Sequence, residues 1–275
     1  MPRWTIGARG PRSEDDGPVP RSRLITLVLV GLGAGFLSGL FGVGGGTVIV
    51  PALVAFAAFN RKLASGTSLA AIVPTSIAGV ITYGIGGHVH WPTAGILAIG
   101  TVVGAQIGTW LLAKLSTQFL RWAFVVFLVV VAVQLLLTVP VRDGDVDLSW
   151  GLAVGLVAVG LVTGVLSGLL GVGGGIIVVP AMILLFGYSD LLAKGTSLLM
   201  MIPTALSGTI GNWRRKNVDL RAGLVIGVSA CLTVTLGSLT AGVISPQLAN
   251  ILFVAFLAFL IVKTVLEALK ARKKA

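Results

Sequence analysis

The chain carries one glycine-rich segment twice. Residues 35–51 read GFLSGLFGVGGGTVIVP and residues 164–180 read GVLSGLLGVGGGIIVVP, identical at twelve of seventeen positions with a constant offset of 129. The offset persists downstream: Gly66-Thr67-Ser68-Leu69 matches Gly195-Thr196-Ser197-Leu198, Pro74-Thr75 matches Pro203-Thr204, and Gly79 matches Gly208. Two halves of like sequence call for two halves of like fold, each broken by glycines at the same place. Repeated, glycine-interrupted apolar segments are the best sequence pointer to the binding site of a membrane transporter.

That the setting is a membrane follows from composition. The chain is 56% apolar and 11% charged, with mean hydropathy +1.03, far from the balance of a soluble domain. Its apolar stretches are long and continuous rather than alternating, so they read as helices and not as barrel strands. They run over 24–41, 46–59, 63–83, 92–113 and 118–139, then 149–170, 175–187, 191–211, 221–243 and 248–268. A straight crossing needs about 20 residues. The 24–59 stretch is too long for one crossing, and Gly44, Gly45 and Gly46 divide it into a hairpin.

Loop charges favour that hairpin. With it, Arg21/Arg23, Arg61/Lys62, Lys114/Arg121, Arg214/Arg215/Lys216 and the basic C-terminus share one side. The other side takes His88/His90 and the acidic linker holding Asp143, Asp145 and Asp147. This sorts by the positive-inside rule, and accounts for the net charge of +11 without nucleic acid as a partner. The expected fold is therefore all-α and integral to the membrane. It has two inverted-topology repeats, each a glycine-broken helical hairpin followed by three transmembrane helices. The expected divisions are a disordered cytoplasmic tail over 1–23, repeat 1 over 24–139, an extracytoplasmic acidic linker over 140–148, repeat 2 over 149–268 and a basic cytoplasmic tail over 269–275. Residues 1–23 are too long and polar to be the n-region of a cleaved signal peptide, so the first apolar stretch is expected to remain.

The chemistry on offer is that of hydroxyls and backbone amides. None of the nine acids falls in the middle of an apolar stretch, which argues against a metal-ion carrier and against carboxylate proton relays. Each GVGGG break leaves free N–H groups at the start of a second half-helix, where the dipole is positive. The candidate substrate-binding residues are Gly44, Gly45, Gly46, Thr67, Ser68 and Thr75 in the first half, and Gly173, Gly174, Gly175, Thr196, Ser197 and Thr204 in the second. Such a set suits a small oxyanion: many donors and no fixed negative charge. Packing is the competing role for each glycine and hydroxyl taken singly.

Several other residues are read as structural. Lys194 either attracts an anion or snorkels to the interface; its repeat mate is Ser65, which favours the second. Asn212 and Gln106 are polar interior candidates. His88 and His90 share a loop with Trp91 and read as an interface anchor rather than a metal pair. Cys231 is a lone core thiol, so no disulfide framework or zinc site is expected. No cofactor is implied, and no Walker-type GxxxxGK[ST] occurs. Ser38 and Ser167 in Leu-Ser-Gly contexts lack a nearby base, which disfavours an intramembrane serine protease. The chain is therefore read as no enzyme.

At Gly42 to Pro51, Gly171 to Pro180, Gly66 to Thr75 and Gly195 to Thr204 the chain resembles the TauE/SafE sulfite exporter family of bacterial membrane proteins. The likeness runs from about residue 24 to 268. It implies a multi-pass protein of the inner (plasma) membrane, with seven to nine spanning helices, that moves sulfite, sulfoacetate, thiosulfate or related anions. The expected function is a secondary carrier exporting small sulfur-containing oxyanions across the lipid bilayer, both termini being cytoplasmic. An anion channel, or a carrier for a different small anion, is the alternative, and a non-transporting membrane scaffold is a third class. The exact anion, the coupling ion and the oligomeric state are not encoded in any motif of this sequence.

Overall fold

In the computed structural model the chain is described over residues 21–112 and 149–272, and between these at the helical residues 118, 122, 125, 126, 128–130, 132, 133 and 136. The expectations for residues 1–20, Lys114, Arg121, the linker 140–148 and residues 273–275 lie outside the described residues. The ordered helices are α1 (Arg21–Phe41), α2 (Gly46–Phe56), α3 (Arg61–Ile85), α4 (Trp91–Leu111), α5 (Trp150–Leu170), α6 (Gly175–Phe186), α7 (Asp190–Trp213), α8 (Leu220–Val243) and α9 (Pro246–Arg272). There is no strand among the described residues. The protein is an all-α membrane protein, as the apolar runs indicate.

Seven of these helices are long and apolar enough to cross a bilayer. The exceptions are α2 and α6, of 11 and 12 residues. At 1.5 Å per residue they reach about 17 Å, little more than half of a hydrocarbon core. They are the half-helices expected after the glycine breaks. Gly45 at the head of α2 and Gly174 at the head of α6 have φ of 73° and 94°. A side chain at either would force left-handed backbone strain, which is why glycine stands there. Other starts are set by ordinary caps: Asn60, Ser149, Ser189 and Asp219 each accept a hydrogen bond from the amide three residues on, opening α3, α5, α7 and α8.

The halves exchange helices. α1, from the first repeat, packs along α8 of the second, and α5, from the second, packs along α4 of the first. Both interfaces are stripes of small residues at intervals of four. A Cβ on Gly35 would meet the carbonyl oxygen of Ala230, and one on Gly39 that of Val234. In the other interface Gly104 faces Leu161 O and Gly164 faces Thr101 O. Without a hydrophobic force between helices in lipid, such backbone-to-backbone approach is what holds them. α3 and α7 form the centre, touching one another, with α3 also on α8 and α7 on α4.

Two ends can be told apart. At one, Arg23 pairs with Asp219 at 3.5 Å, its guanidinium lies 5.0 Å over the Phe59 ring, and Gly66 abuts Asn217 O. This end also bears Arg61, Lys62, Arg214, Arg215 and Lys216. At the other, Gly195 abuts His88 O and Tyr188 reaches Thr93. Exposed Trp110 and Trp213 mark the basic end, while Trp91 and Trp150 mark the other, the placement of interfacial aromatic belts.

The small-residue interfaces give a direct test. Gly104→Leu should be destabilising by about 1–3 kcal/mol or more, as overpacking against backbone cannot relax. Gly95, with open space at its Cβ position, should tolerate alanine with no loss. Thermal unfolding in detergent compares the two; equal stability would mean that the α4–α5 contact does not depend on close approach.

Candidate functional site

The two glycine breaks touch. A Cβ on Gly46 would lie 2.6 Å from Gly171 O and 2.8 Å from the Val172 backbone. One on Gly175 would strike Gly42 O and the Cα of Val43. Ile72 of α3 and Met201 of α7 close over the junction, Met201 Sδ against Gly44 and Ile72 Cδ1 against Gly173. Every residue from Phe41 to Thr47 and from Gly171 to Pro180 is buried.

Side-chain hydroxyls from the opposite half hold each break. Ser68 Oγ donates to Gly171 O and to Ser65 O. Its repeat mate Ser197 donates to Gly42 O at 2.6 Å and to Lys194 O at 2.8 Å. Thr67 Oγ1 accepts from the Asp219 amide at 3.0 Å, and its mate Thr196 accepts from the His90 amide at 2.9 Å. Each contact has its counterpart at the offset of 129 with the halves interchanged. The helix-start hydroxyls thus grip the partner half's backbone; they bring the breaks together rather than stand open around a ligand.

What the breaks do present is amides. Among the described residues, no group accepts from the backbone N–H of residues 44–47 or 173–176. Burying such a donor unsatisfied costs about 1–3 kcal/mol, and here eight of them lie at two adjoining helix N-termini. Three buried hydroxyls add to the set. Ser38, Thr163 and Ser167 are at most 1% exposed, and their oxygens have no hydrogen-bond partner among the described residues. Thr163 Cγ2 lies 2.6 Å, and Ser167 Cβ 3.8 Å, from the position a Cβ on Gly174 would take.

The halves are not equally polar. Near the second break Thr204 Oγ1 donates to Thr101 Oγ1 at 2.6 Å and to Met200 O at 2.8 Å. In the first half Thr75 donates only to Ala71 O, at 2.9 Å. The offset mates of Thr163, Thr101 and Met200 are Ala34, Ala230 and Ala71.

Lys194 corrects one expectation. It does not snorkel: it is 3% exposed and forms a 2.8 Å ion pair with Asp190, itself 3% exposed. The pair spans the first turn of α7, with Lys194 against Gly42. A buried cation needs a partner, and the acid four residues earlier supplies one. Gln106 is also corrected. It is exposed rather than interior, and its Nε2 donates to the Ser207 carbonyl and hydroxyl at 2.8 Å, tying α4 to α7. Asn212 is buried as expected, with Nδ2 donating to Gly208 O at 3.0 Å. His90 caps α4 and pairs with Thr93 Oγ1 at 2.6 Å, and Thr93 in turn meets Tyr188. Burial pushes the Tyr188 phenol above its ordinary value, the Thr93 bond opposing this in part, so the phenol keeps its proton.

Sequence reasoning did not select Ser38, Thr163 and Ser167 as site residues. Ser38 and Ser167 are repeat mates inside the duplicated segment, so the signal was present. Thr163 has alanine as its mate, and only its position against Gly174 reveals it.

The profile described as sulfite exporter TauE/SafE matches residues 5–135 and 156–275. The chain belongs to the TauE/SafE family. It is 30% identical over 212 residues to the probable membrane transporter protein YunE of Bacillus subtilis, covering 68% of this chain and 77% of that one. A second B. subtilis relative, the probable membrane transporter protein YdhB, is 35% identical over 72 residues, 26% of this chain and 29% of that one. No solved structure matches. Membership makes this a multi-pass membrane transporter and not an enzyme.

If hydroxyl clamps hold the breaks of this TauE/SafE protein, Ser68→Ala and Ser197→Ala should each cost about 1–3 kcal/mol, because each leaves a buried carbonyl without that donor. Chemical denaturation in detergent measures both. Loss at one position alone would contradict a reciprocal clamp.

Proposed function

We propose that this chain is a secondary carrier that exports small sulfur-containing oxyanions, such as sulfite or organosulfonates, and that it binds them where the two breaks meet. The observation that carries this reading is the set of buried amides of residues 44–47 and 173–176 without protein acceptors. Gly44, Gly45, Gly46, Gly173, Gly174 and Gly175 contribute N–H donors with no side chain to hold an anion off. The N-termini of α2 and α6 add their positive dipole ends. Ser38, Thr163 and Ser167 contribute hydroxyl protons. Thr67, Ser68, Thr196 and Ser197 position the breaks, while Thr75 and Thr204 line the approach from α3 and α7. The buried Asp190 carboxylate is paired with Lys194, whose backbone and stem lie against Gly42.

The repeats are proposed to be inverted. In support, α1 begins at the basic end, whereas Gly155 near the start of α5 lies against Phe186, by the opposite end. By the positive-inside rule the basic end is read as cytoplasmic, both termini included, and the bacterial inner membrane is the proposed location. An inside-negative potential then favours export by about 2.3 kcal/mol per charge per 100 mV, so no co-ion is required.

The test is sulfite flux in proteoliposomes holding the purified protein, with thiosulfate, sulfoacetate and sulfate as competitors. Saturable flux is expected, responsive to imposed voltage, and abolished by the double variant Gly45→Leu/Gly174→Leu. The milder Ser167→Ala should raise KM about tenfold, the loss of one hydrogen bond to a charged group being worth about 1.5 kcal/mol or more. Absence of saturable flux for all four anions from folded protein would defeat this reading.

A further inference from the structure

The basic end holds a pocket beside the first break. Of about 60 Å³, it runs along one face of α2, from Arg61 and Lys263 to the break junction at Gly46 and Val172. Thr47 and Thr264 supply hydroxyls along its wall. We infer that this pocket is an access site for a small oxyanion, in which Arg61 and Lys263 collect the ion and pass it along α2 to the amides of the breaks.

Three observations converge. The first is Lys263 itself. It is the only charged residue between Pro246 and Leu266, a span of mean hydropathy 2.4, and it is half-buried. An ionisable group within a membrane span faces a water-filled cavity or a partner, and Lys263 lines this pocket. The second is Arg61. It sits in the first turn of α3, where the helix dipole disfavours a cation. At the same place in the second repeat stands Asp190, the charge that the dipole favours. A cation so placed adds to the positive potential of the pocket instead of stabilising its helix.

The third is an asymmetry in burial. Val50, Pro51 and Val54, on the pocket face of α2, are half-buried, whereas their mates Val179, Pro180 and Ile183 on α6 are buried. Thr47 has the apolar mate Ile176, and Arg61 has Asp190, which is locked to Lys194. The same face of the same half-helix is therefore half-open beside Arg61 and Lys263 in the first repeat and buried in the second. That is the arrangement of a two-sided carrier caught open towards the basic end. It deepens the proposed function, resting on its assignment of the breaks as the anion's destination, and adds that loading begins on the side facing the basic loops.

The same cations would suit a lipid phosphate, so the test separates the two sources. Thr264→Cys is introduced into the full chain with Cys231→Ala, reconstituted, and labelled from the basic side with anionic and cationic methanethiosulfonates of similar size. The anionic reagent should react on the order of tenfold faster, as expected when a charged cleft concentrates counter-ions. Sulfoacetate should slow labelling. Arg61→Gln/Lys263→Gln should abolish the preference, and Lys263→Arg should keep it. No preference for the anionic reagent, or a preference untouched by the double charge removal, would overturn the inference. So would protection by phosphatidylglycerol vesicles with none by sulfoacetate, which would make the pocket a headgroup site. Charge-selective labelling in a protein that carries none of the sulfur oxyanions would leave this pocket standing and refute only the choice of substrate.

Discussion

A backbone amide inside a bilayer has no water to turn to, and this constraint organises the molecule. Helices satisfy it along their length but not at their first turn. Here the chain stops and restarts two helices inside the protein, at Gly45 and Gly174, leaving donors in the core. Such ends are tolerated in membranes only where protein or a polar cavity surrounds them. The structure answers by bringing the two restarts against one another and sealing them with Ile72 and Met201. What would be a defect in a structural helix becomes a concentrated field of N–H groups and positive dipole ends.

The rest of the fold serves that junction. α1 and α5, which lead into the breaks, are each anchored on a helix of the other half through glycine stripes. Ser68 and Ser197 then reach across to the Gly171 and Gly42 carbonyls. Neither half can keep its break in place alone, because the clamp on each comes from the other. Such mutual dependence also provides a way to move: a shift of one half-helix changes the contacts of both. The Asp190–Lys194 pair lies beside Gly42, and a groove lined by Arg61 and Lys263 lies beside Gly46.

Much of this was legible in the sequence. The duplication located both breaks, and apolar run lengths gave the helices of the described residues within a few residues, the largest difference being the end of α9, four residues past its expected end. The short reach of α2 and α6 followed from the glycine positions. The hydroxyl pairs were legible as candidates, but the backbone groups of the partner half that they bond were not. A threonine and serine after glycine look the same whether they face a ligand or a carbonyl 103 or 155 residues away. Lys194 misled because snorkelling depends on distance to the interface, whereas pairing depends on Asp190, and both readings fit one apolar helix start. Thr163, Arg61 and Lys263 carry no motif. Their meaning arises from which faces the crossed helices bring together, and the offset in fact obscured them, since their repeat mates are an alanine, an aspartate and a glutamine.

The central claim is that two oppositely oriented halves clamp one another's break, and the most direct measurement is the sidedness of the two loops beside the clamps. Gly86→Cys, in the loop carrying His88, and Arg214→Cys, in the loop carrying Asn217, are each placed in a Cys231→Ala background and probed with a membrane-impermeant maleimide in vesicles of known orientation. The account requires Gly86→Cys to label from the extracytoplasmic side only and Arg214→Cys from the cytoplasmic side only. Labelling of both from one face would mean that the halves run parallel, and the reciprocal clamp could not then place both breaks at a shared site.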